Sequence, residues 1–212
     1  MKRILALILF TTAIAASAQN PKFIHAMEKG KSMLDTAHHV GSLQEAANMF
    51  QRIAGAEKKE WLPSYYLCYA YTMIGFFETN KDKKDEYYDR ATAYIETADS
   101  LSPDNSEIYT LKGMLLQMQL QVNPMMRGQK YGALSATNLE KAIKLNPENP
   151  RPYYMRGQSL FYTPPMFGGG KDKAKPYLQT AVEKYATFKP VSSIMPTWGE
   201  ERAKMLLTEC TK

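Results

Sequence analysis

The glycine-rich stretch GGGK at 168–171 contains the residue types of a phosphate-binding loop. A P-loop has Gly, four further residues and then Gly-Lys-Ser/Thr, so that backbone N–H groups and the lysine surround the phosphates. Here Asp172 follows Lys171, and the nearby Pro164-Pro165 pair is typical of a connection between helices. We therefore expect a flexible inter-helix loop at this position and no nucleotide site.

Thioether groups are the next candidates for chemistry, because four methionines lie close together in the sequence: Met114, Met118, Met125 and Met126. Clustered thioethers are suitable ligands for copper(I) in exported proteins. Methionine also fills irregular gaps in cores and lines adaptable binding surfaces. We expect these side chains to pack in a core or a groove, and we predict no metal site.

The histidines and cysteines lack the spacing of a metal centre. His25, His38 and His39 are not at ligand spacing with acids or cysteines, so we expect surface or packing roles for them. Cys68 and Cys210 would form one disulfide in an oxidising compartment, or they would stay separate thiols with Cys68 packed in an apolar helix. The sequence leaves this choice open and predicts no cofactor.

No group of residues marks a catalytic centre. The sequence has no Gly-x-Ser-x-Gly elbow, no His-Glu-x-x-His pair and no cysteine with a histidine close by. The charged stretch at 81–90 mixes both signs at i, i+3 and i+4 spacing, which is typical of a solvated helix start. We therefore expect a protein that is not an enzyme.

The N-terminus has the three parts of an export signal. A basic start at 2–3 precedes an apolar run at 4–15 that is too short to span a bilayer, and an Ala-Ser-Ala cleavage site follows at 16–18. We predict cleavage between Ala18 and Gln19, and the alternative is an uncleaved anchor. The mature protein is accordingly expected in the periplasm or outside the cell.

Residues 1–18 are thus expected to be a signal peptide and 19–212 a single domain. Loss of two cations with the signal lowers the formal net charge from +6 to +4, and the remaining charges of both signs are interspersed. This mild charge does not favour nucleic acid as a partner. No later segment is apolar for long enough to cross a membrane, so we expect no integral membrane protein after cleavage.

One phrase occurs twice, 44 residues apart, as LSPDNSEIYTLKG at 101–113 and LNPENPRPYYMRG at 145–157. The step matches Pro103 with Pro147, Tyr109 with Tyr153 and Gly113 with Gly157, and a further step back reaches Tyr65. The segments before these phrases repeat as well, with Ala54, Ala98 and Ala142 at the same spacing. A fixed period of this size is the mark of a helical solenoid.

The segment before each phrase has one helical face of small residues. Seven residues before each repeated alanine lies another small residue, and a large apolar residue lies between the two. The small residues are Ala47, Ala91 and Ser135, and the large ones are Phe50, Ile95 and Leu139. Because residues seven apart share a helix face, a neighbouring helix can approach closely there.

The order of small, large apolar, small, Pro, aromatic and Gly resembles the tetratricopeptide repeat (TPR) family. Ser135, Leu139, Ala142 and Pro147 stand at the family's second-helix and boundary positions, followed by an aromatic and a glycine at 153 and 157. The family unit has about 34 residues. The longer unit here places its extra residues between the two helices of each pair, at 78–86, 121–130 and 162–173.

This resemblance implies an all-α, right-handed α-solenoid of antiparallel helix pairs, with about four units and a C-terminal capping helix. The first helix of a unit is called helix A and the second helix B. The expected helices are 22–37 and 42–57, 61–79 and 84–101, 105–121 and 129–144, 149–162 and 171–186, and the capping helix at 198–210.

The resemblance also implies that the A helices line a concave groove where ligands bind. The groove-facing positions are Tyr66, Ala70, Met73, Glu107, Thr110, Met114, Gln117, Arg151, Tyr154, Gln158 and Phe161. Amphipathic aromatic side chains and arginine are typical anchors at protein interfaces. The alternative is that some of these side chains pack against the C-terminal helix or the inserted loops.

Two functions follow from this architecture. The first is an exported, non-enzymatic TPR scaffold whose groove holds a protein or peptide partner. The alternative is a periplasmic protein that binds a small solute and accompanies a transporter, with the loops and the methionine-rich segment around a pocket. An open groove favours a peptide and a plugged groove favours a small solute. For either function, the sequence does not decide whether the protein forms a homo-oligomer.

Overall fold

The computed structural model describes residues 20–212, and this part of the chain is α-helical with one short 3-10 turn. The predicted signal peptide lies outside the described residues. The helices are α1 (Pro21–Asp35), α2 (Val40–Ala56), α3 (Trp61–Phe77), α4 (Lys81–Leu101), α5 (Ser106–Val122), α6 (Pro124–Leu145), α7 (Pro150–Tyr162), α8 (Lys171–Thr187) and α9 (Glu200–Cys210), with the turn at Pro165–Phe167 before α8.

The helices form a stack of antiparallel pairs, which confirms the predicted all-α solenoid. The A helices α1, α3, α5 and α7 lie side by side, and each packs on the B helix that follows it in the chain. The final helix α9 packs on α8 and α7 at the end of the stack.

Asparagine side chains start most of these helices. Each accepts a hydrogen bond from a backbone N–H of the first turn, which satisfies one of the donors that a helix start leaves unpaired. They are Asn20 before α1, Asn80 before α4, Asn105 before α5, Asn123 before α6 and Asn149 before α7.

Two of these caps explain where helices begin earlier than predicted. Helix α6 begins at Pro124, within the segment that the sequence assigns to a loop, because Asn123 caps it and proline is suited to a first helical position. Helix α4 begins at Lys81 directly after the Asn80 cap. The connection between α7 and α8, at 163–170, is the longest of the three, and it is shorter than the predicted 162–173.

Glycine in the A helices permits close packing of each pair. A Cβ atom on Gly113 would lie 2.7 Å from the side chain of Leu139, and one on Gly157 would lie 2.7 Å from the side chain of Leu178. Real Cβ atoms do not approach other atoms so closely, so any larger residue would push the two helices apart. The repeated glycines therefore set the distance between A and B helices.

The repeated tyrosines do not all share one environment. The Lys141 ammonium donates to the Tyr109 hydroxyl at 2.7 Å, and the Lys184 ammonium lies 5.5 Å from the ring centre of Tyr153. Tyr65 is instead fully buried at the concave face. Of the other repeated residues, Ala98 and Ala142 are buried, Ala54 is half-buried, and Pro103 and Pro147 are exposed in turns.

Candidate ligand-binding cleft

The C-terminal segment, 188–199, lies along the concave face of the A helices. The Tyr66 hydroxyl donates to the carbonyl of Ile194 at 2.7 Å, and the indole N–H of Trp198 donates to the Tyr65 hydroxyl at 2.9 Å. The segment reaches α1 as well, where the Lys31 ammonium donates to the Thr197 hydroxyl at 2.7 Å. The concave groove is therefore filled by the chain itself over much of its length.

Backbone conformation at Gly199 lets the segment turn into α9. This glycine has φ 107, in the left-handed region that other residues rarely adopt. A Cβ atom there would lie 3.0 Å from the Tyr154 ring and would clash with the Tyr185 hydroxyl. The same hydroxyl donates to the carbonyl of Trp198 at 2.9 Å, which ties the segment to α8.

A buried ion pair lies beneath this segment. The Arg151 guanidinium donates to both carboxylate oxygens of Glu107, at 2.7 Å and 2.5 Å, and the two side chains are 1% and 6% exposed. Asn149 donates to the same carboxylate at 2.9 Å. Burial disfavours the Arg151 cation, but the Glu107 carboxylate outweighs this effect, so the pKa of Arg151 is raised. Because each charge is neutralised by the other and both side chains are buried, neither is free to bind a ligand.

Most of the predicted groove residues are covered by the segment and by neighbouring helices. Six further predicted residues are buried, and three are half-buried. The buried ones are Tyr66, Ala70, Thr110, Met114, Gln117 and Tyr154, and the half-buried ones are Met73, Gln158 and Phe161. Two of these side chains, Tyr66 and Met73, reach the space that the segment leaves open.

That space is a cleft of about 280 Å³ between α1, α3 and the end of the C-terminal segment. Its aromatic wall is formed by Tyr69 and Trp198, whose rings stack with centres 5.8 Å apart at 29°. The other lining residues are Lys31, Leu34, Asp35, Ala37, His38, Leu43, Tyr66, Met73 and Thr197. The cleft is thus apolar at its aromatic wall and floor and polar at its rim.

The polar rim offers one cation, one carboxylate and one imidazole. Lys31 is half-buried and lies 3.5 Å from the Asp35 carboxylate, whereas His38 is exposed. Burial raises the pKa of Tyr69 to about 12, so this phenol stays neutral at physiological pH. The arrangement can take a flat apolar molecule against the wall and hold an anionic group at Lys31.

Sequence reasoning missed most of this lining. It gave His38 a surface or packing role without linking it to a ligand site. It placed Trp198 in the capping helix, whereas α9 begins only at Glu200 and Trp198 belongs to the segment before it. The signal that could have identified Trp198 is its position directly after Pro196-Thr197 in an aperiodic stretch. A large aromatic residue outside any helix pattern needs a partner elsewhere in the fold.

The cysteines are separate thiols. Cys68 is buried in α3, where burial raises its pKa to about 12, and Cys210 is half-buried in α9. Within residues 20–212, no three His, Cys, Asp or Glu side chains are grouped to hold a metal ion. In the same part of the chain, no helix combines the length and apolar character that a membrane span requires.

Several solved structures resemble this fold, among them a haemophore and a TPR protein. The HusA haemophore from Porphyromonas gingivalis is 37% identical, with a TM-score of 0.81 over 91% of this chain and 94% of that chain. A thermophilic TPR protein from Thermus thermophilus is 16% identical, with a TM-score of 0.65 over 89% of this chain and 80% of that chain. The second likeness concerns the TPR-like fold alone. No protein-family model matches the chain, and no curated protein matches it.

Proposed function

We propose that this chain, which belongs to the same family as the HusA haemophore, is an exported carrier that binds haem or a related porphyrin in the cleft between α1, α3 and the C-terminal segment. The observation that carries the proposal is the 37% identity to a haemophore over 91% of the chain. The aromatic wall of the cleft provides the surface that such a ligand needs. The proposed activity is binding, without a catalytic step.

A porphyrin is a flat aromatic ring with anionic carboxylates at one side. The ring would extend the stack of Tyr69 and Trp198 by packing on the outer face of one of them, since stacked aromatic faces gain both dispersion and area burial. A carboxylate would pair with the Lys31 ammonium, which exchanges its bond to Thr197 for a charge-assisted one. His38 and Met73 line the cleft and carry an imidazole nitrogen and a thioether, which would hold the iron of a haem ligand.

The size of the cleft supports partial enclosure of the ligand. Its volume of about 280 Å³ is slightly below the ~300 to 1,000 Å³ of ordinary small-molecule pockets. A porphyrin would therefore enter with one edge and leave the opposite edge in water. This suits a carrier that has to release its ligand.

The filled groove favours a small ligand over a peptide partner. The segment 188–199 occupies the surface on which a peptide would lie, and the predicted anchors Arg151 and Tyr154 are buried. A peptide would have to displace hydrogen bonds at Tyr65 and Tyr66 before it could bind. Binding of a small solute requires no such displacement, because the cleft is already formed.

Tryptophan fluorescence tests the proposal directly, since the chain has two tryptophans and Trp198 lines the cleft. The variant W61F keeps Trp198 as the reporter. Titration with haemin and with metal-free protoporphyrin should give saturable quenching at one ligand per chain. The variant Y69A should weaken binding of both ligands at least tenfold, and K31Q should weaken it less.

A comparison of the two ligands separates ring binding from iron ligation. The variant H38A should leave protoporphyrin affinity unchanged and lower only haemin affinity. The matched control is H25A, which replaces an exposed histidine of α1 that does not line the cleft. Absence of saturable quenching with both ligands would refute the proposed function.

A further inference from the structure

Exposed apolar side chains lie at three of the four connections between an A helix and its B helix. Each connection contributes two or three of them, and several are almost fully exposed, such as Met125 at 98% and Met166 at 83%. The set is Phe76 and Phe77 at the end of α3, Met125 and Met126 at the start of α6, and Tyr162, Met166 and Phe167 after α7. We call these seven residues the apolar row.

The apolar row lies along one edge of the stack. The A helices run in the same direction, as the contact between Glu107 and Arg151 near the starts of α5 and α7 indicates. At the opposite ends of the A helices, the Arg127 guanidinium donates to both carboxylate oxygens of Asp85, at 2.6 Å and 2.8 Å. This pair joins the start of α6 to the start of α4, so neighbouring connections are adjacent.

Exposed lysines flank the apolar row. They are Lys81, Lys83, Lys130, Lys171, Lys173 and Lys175, and none of them forms an ion pair within residues 20–212. The same segments contain the acids Glu78, Asp82, Asp85, Glu86 and Asp172. They are fewer than the six lysines taken together with Lys84 and Arg127, and Asp85 is held by Arg127 while Glu78 accepts from the backbone N–H groups of Thr79 and Asn80. The apolar row is therefore surrounded mainly by basic side chains.

The positions of four lysines are unfavourable for the helices themselves. Lys81 and Lys83 lie in the first turn of α4, and Lys171 and Lys173 lie in the first turn of α8. The positive end of a helix dipole repels a cation there. One acid in each of these turns, Asp82 or Asp172, has the sign that the dipole favours. The four lysines are not explained by helix stability and would instead attract an anionic partner.

We infer that this edge docks on the surface of an anionic lipid bilayer. The apolar row would enter the boundary between headgroups and acyl chains, and the lysines would attract the anionic headgroups. A second copy of the chain is a less suitable occupant, because lysine is depleted at protein interfaces. The inference does not depend on the proposed ligand, since the cleft residues are distinct from the row.

Vesicle co-sedimentation of the mature chain tests the inference. Vesicles of phosphatidylcholine alone should retain little protein, whereas vesicles with about one third phosphatidylglycerol should retain most of it. Retention should fall as salt rises from about 0.05 M to about 0.5 M, because salt screens the lysines. The variant M125S/M126S/F167S should bind the anionic vesicles at least tenfold more weakly, and K171Q/K173Q/K175Q should lose the preference for anionic lipid.

The matched control is L101S/V191S, which replaces two exposed apolar residues outside the apolar row, one at the end of α4 and one in the segment 188–199. This variant should bind like the unaltered protein. Equal vesicle binding by all variants, or no binding by the unaltered protein, would overturn the inference. Two further results would also overturn the inference if vesicles are not bound. One is a concentration-dependent dimer that M125S/M126S/F167S abolishes. The other is porphyrin binding that the same variant abolishes.

Discussion

The indole N–H of Trp198 donates to the hydroxyl of Tyr65 at 2.9 Å, across 133 residues of sequence. Tyr65 belongs to α3, the first helix of the second pair, and Trp198 lies near the end of the segment that follows the last helix pair. This bond draws the C-terminal segment over the concave face and places the Trp198 ring against Tyr69. It thereby closes the groove and forms one wall of the cleft.

Loss of this bond should loosen the segment without emptying the space that the two rings fill. The variant Y65F keeps both rings but removes the hydroxyl that accepts from the Trp198 N–H, so it should lower the free energy of unfolding by about 1 kcal/mol. Urea unfolding followed by circular dichroism measures the change. The control Y69F removes a hydroxyl that has no hydrogen-bond partner within residues 20–212 and should be nearly neutral. An equal loss in both variants would contradict the role of the Trp198 bond.

The buried pair of Glu107 and Arg151 gives a second prediction. The variant E107Q leaves the Arg151 charge in a site that is 1% exposed, so it should lower the free energy of unfolding by about 3 to 5 kcal/mol. The double variant E107M/R151M removes both charges and should be clearly more stable than E107Q. Urea unfolding of the three proteins tests this order. A double variant less stable than E107Q would show that the pair is not the cause.

Close packing at Gly113 gives a third prediction. The variant G113A places a Cβ atom against Leu139 and should destabilise the protein by about 1 to 3 kcal/mol through overpacking. Gly128 lies in α6, where a Cβ atom would have no neighbouring atom within 4 Å. The matched variant G128A should therefore stabilise the protein by about 0.5 to 1 kcal/mol, because alanine is the better helix former. Thermal unfolding of both variants distinguishes these opposite signs.

Buried Cys68 gives a prediction for alkaline pH. Burial raises the pKa of its thiol to about 12, so the unfolded chain loses this proton at a lower pH than the folded chain. The contribution of this thiol to the free energy of unfolding is complete below about pH 8.5. It is lost as pH rises towards 12, at about 1.4 kcal/mol for each pH unit in that window. Between about pH 9 and 10, the variant C68A should lose stability less steeply than C210A. Identical slopes would contradict this assignment.

The helix pairs could be predicted from local features of the sequence. These features act between neighbouring helices, whose packing repeats from unit to unit. They are the 44-residue period, the helix faces of small residues around Ala98 and Ala142, and the glycines at 113 and 157. The start of α6 at Pro124 was missed, because polar and proline-rich residues are typical both of loops and of helix starts.

The binding surface could be predicted only in part. Tyr66 and Met73 line the cleft, but Lys31, Tyr69 and Trp198 were not among the predicted groove residues. Glu107 and Arg151 face the concave side and were assigned to a ligand, whereas the structure pairs them with each other. A pattern with helical period identifies a face, but it does not indicate what covers that face.

The sequence by itself determined the all-α class, the helix pairs and the spacing of their contacts, because caps, prolines, glycines and small faces act within one or two helices. Only the tertiary structure decided the course of residues 188–199, which have no helical period and bond to residues more than 100 positions earlier, as Tyr66 does with Ile194. Such contacts depend on the finished stack, since its concave face exists only after the pairs have assembled. The cleft, and with it the proposed ligand site, is a product of that last step.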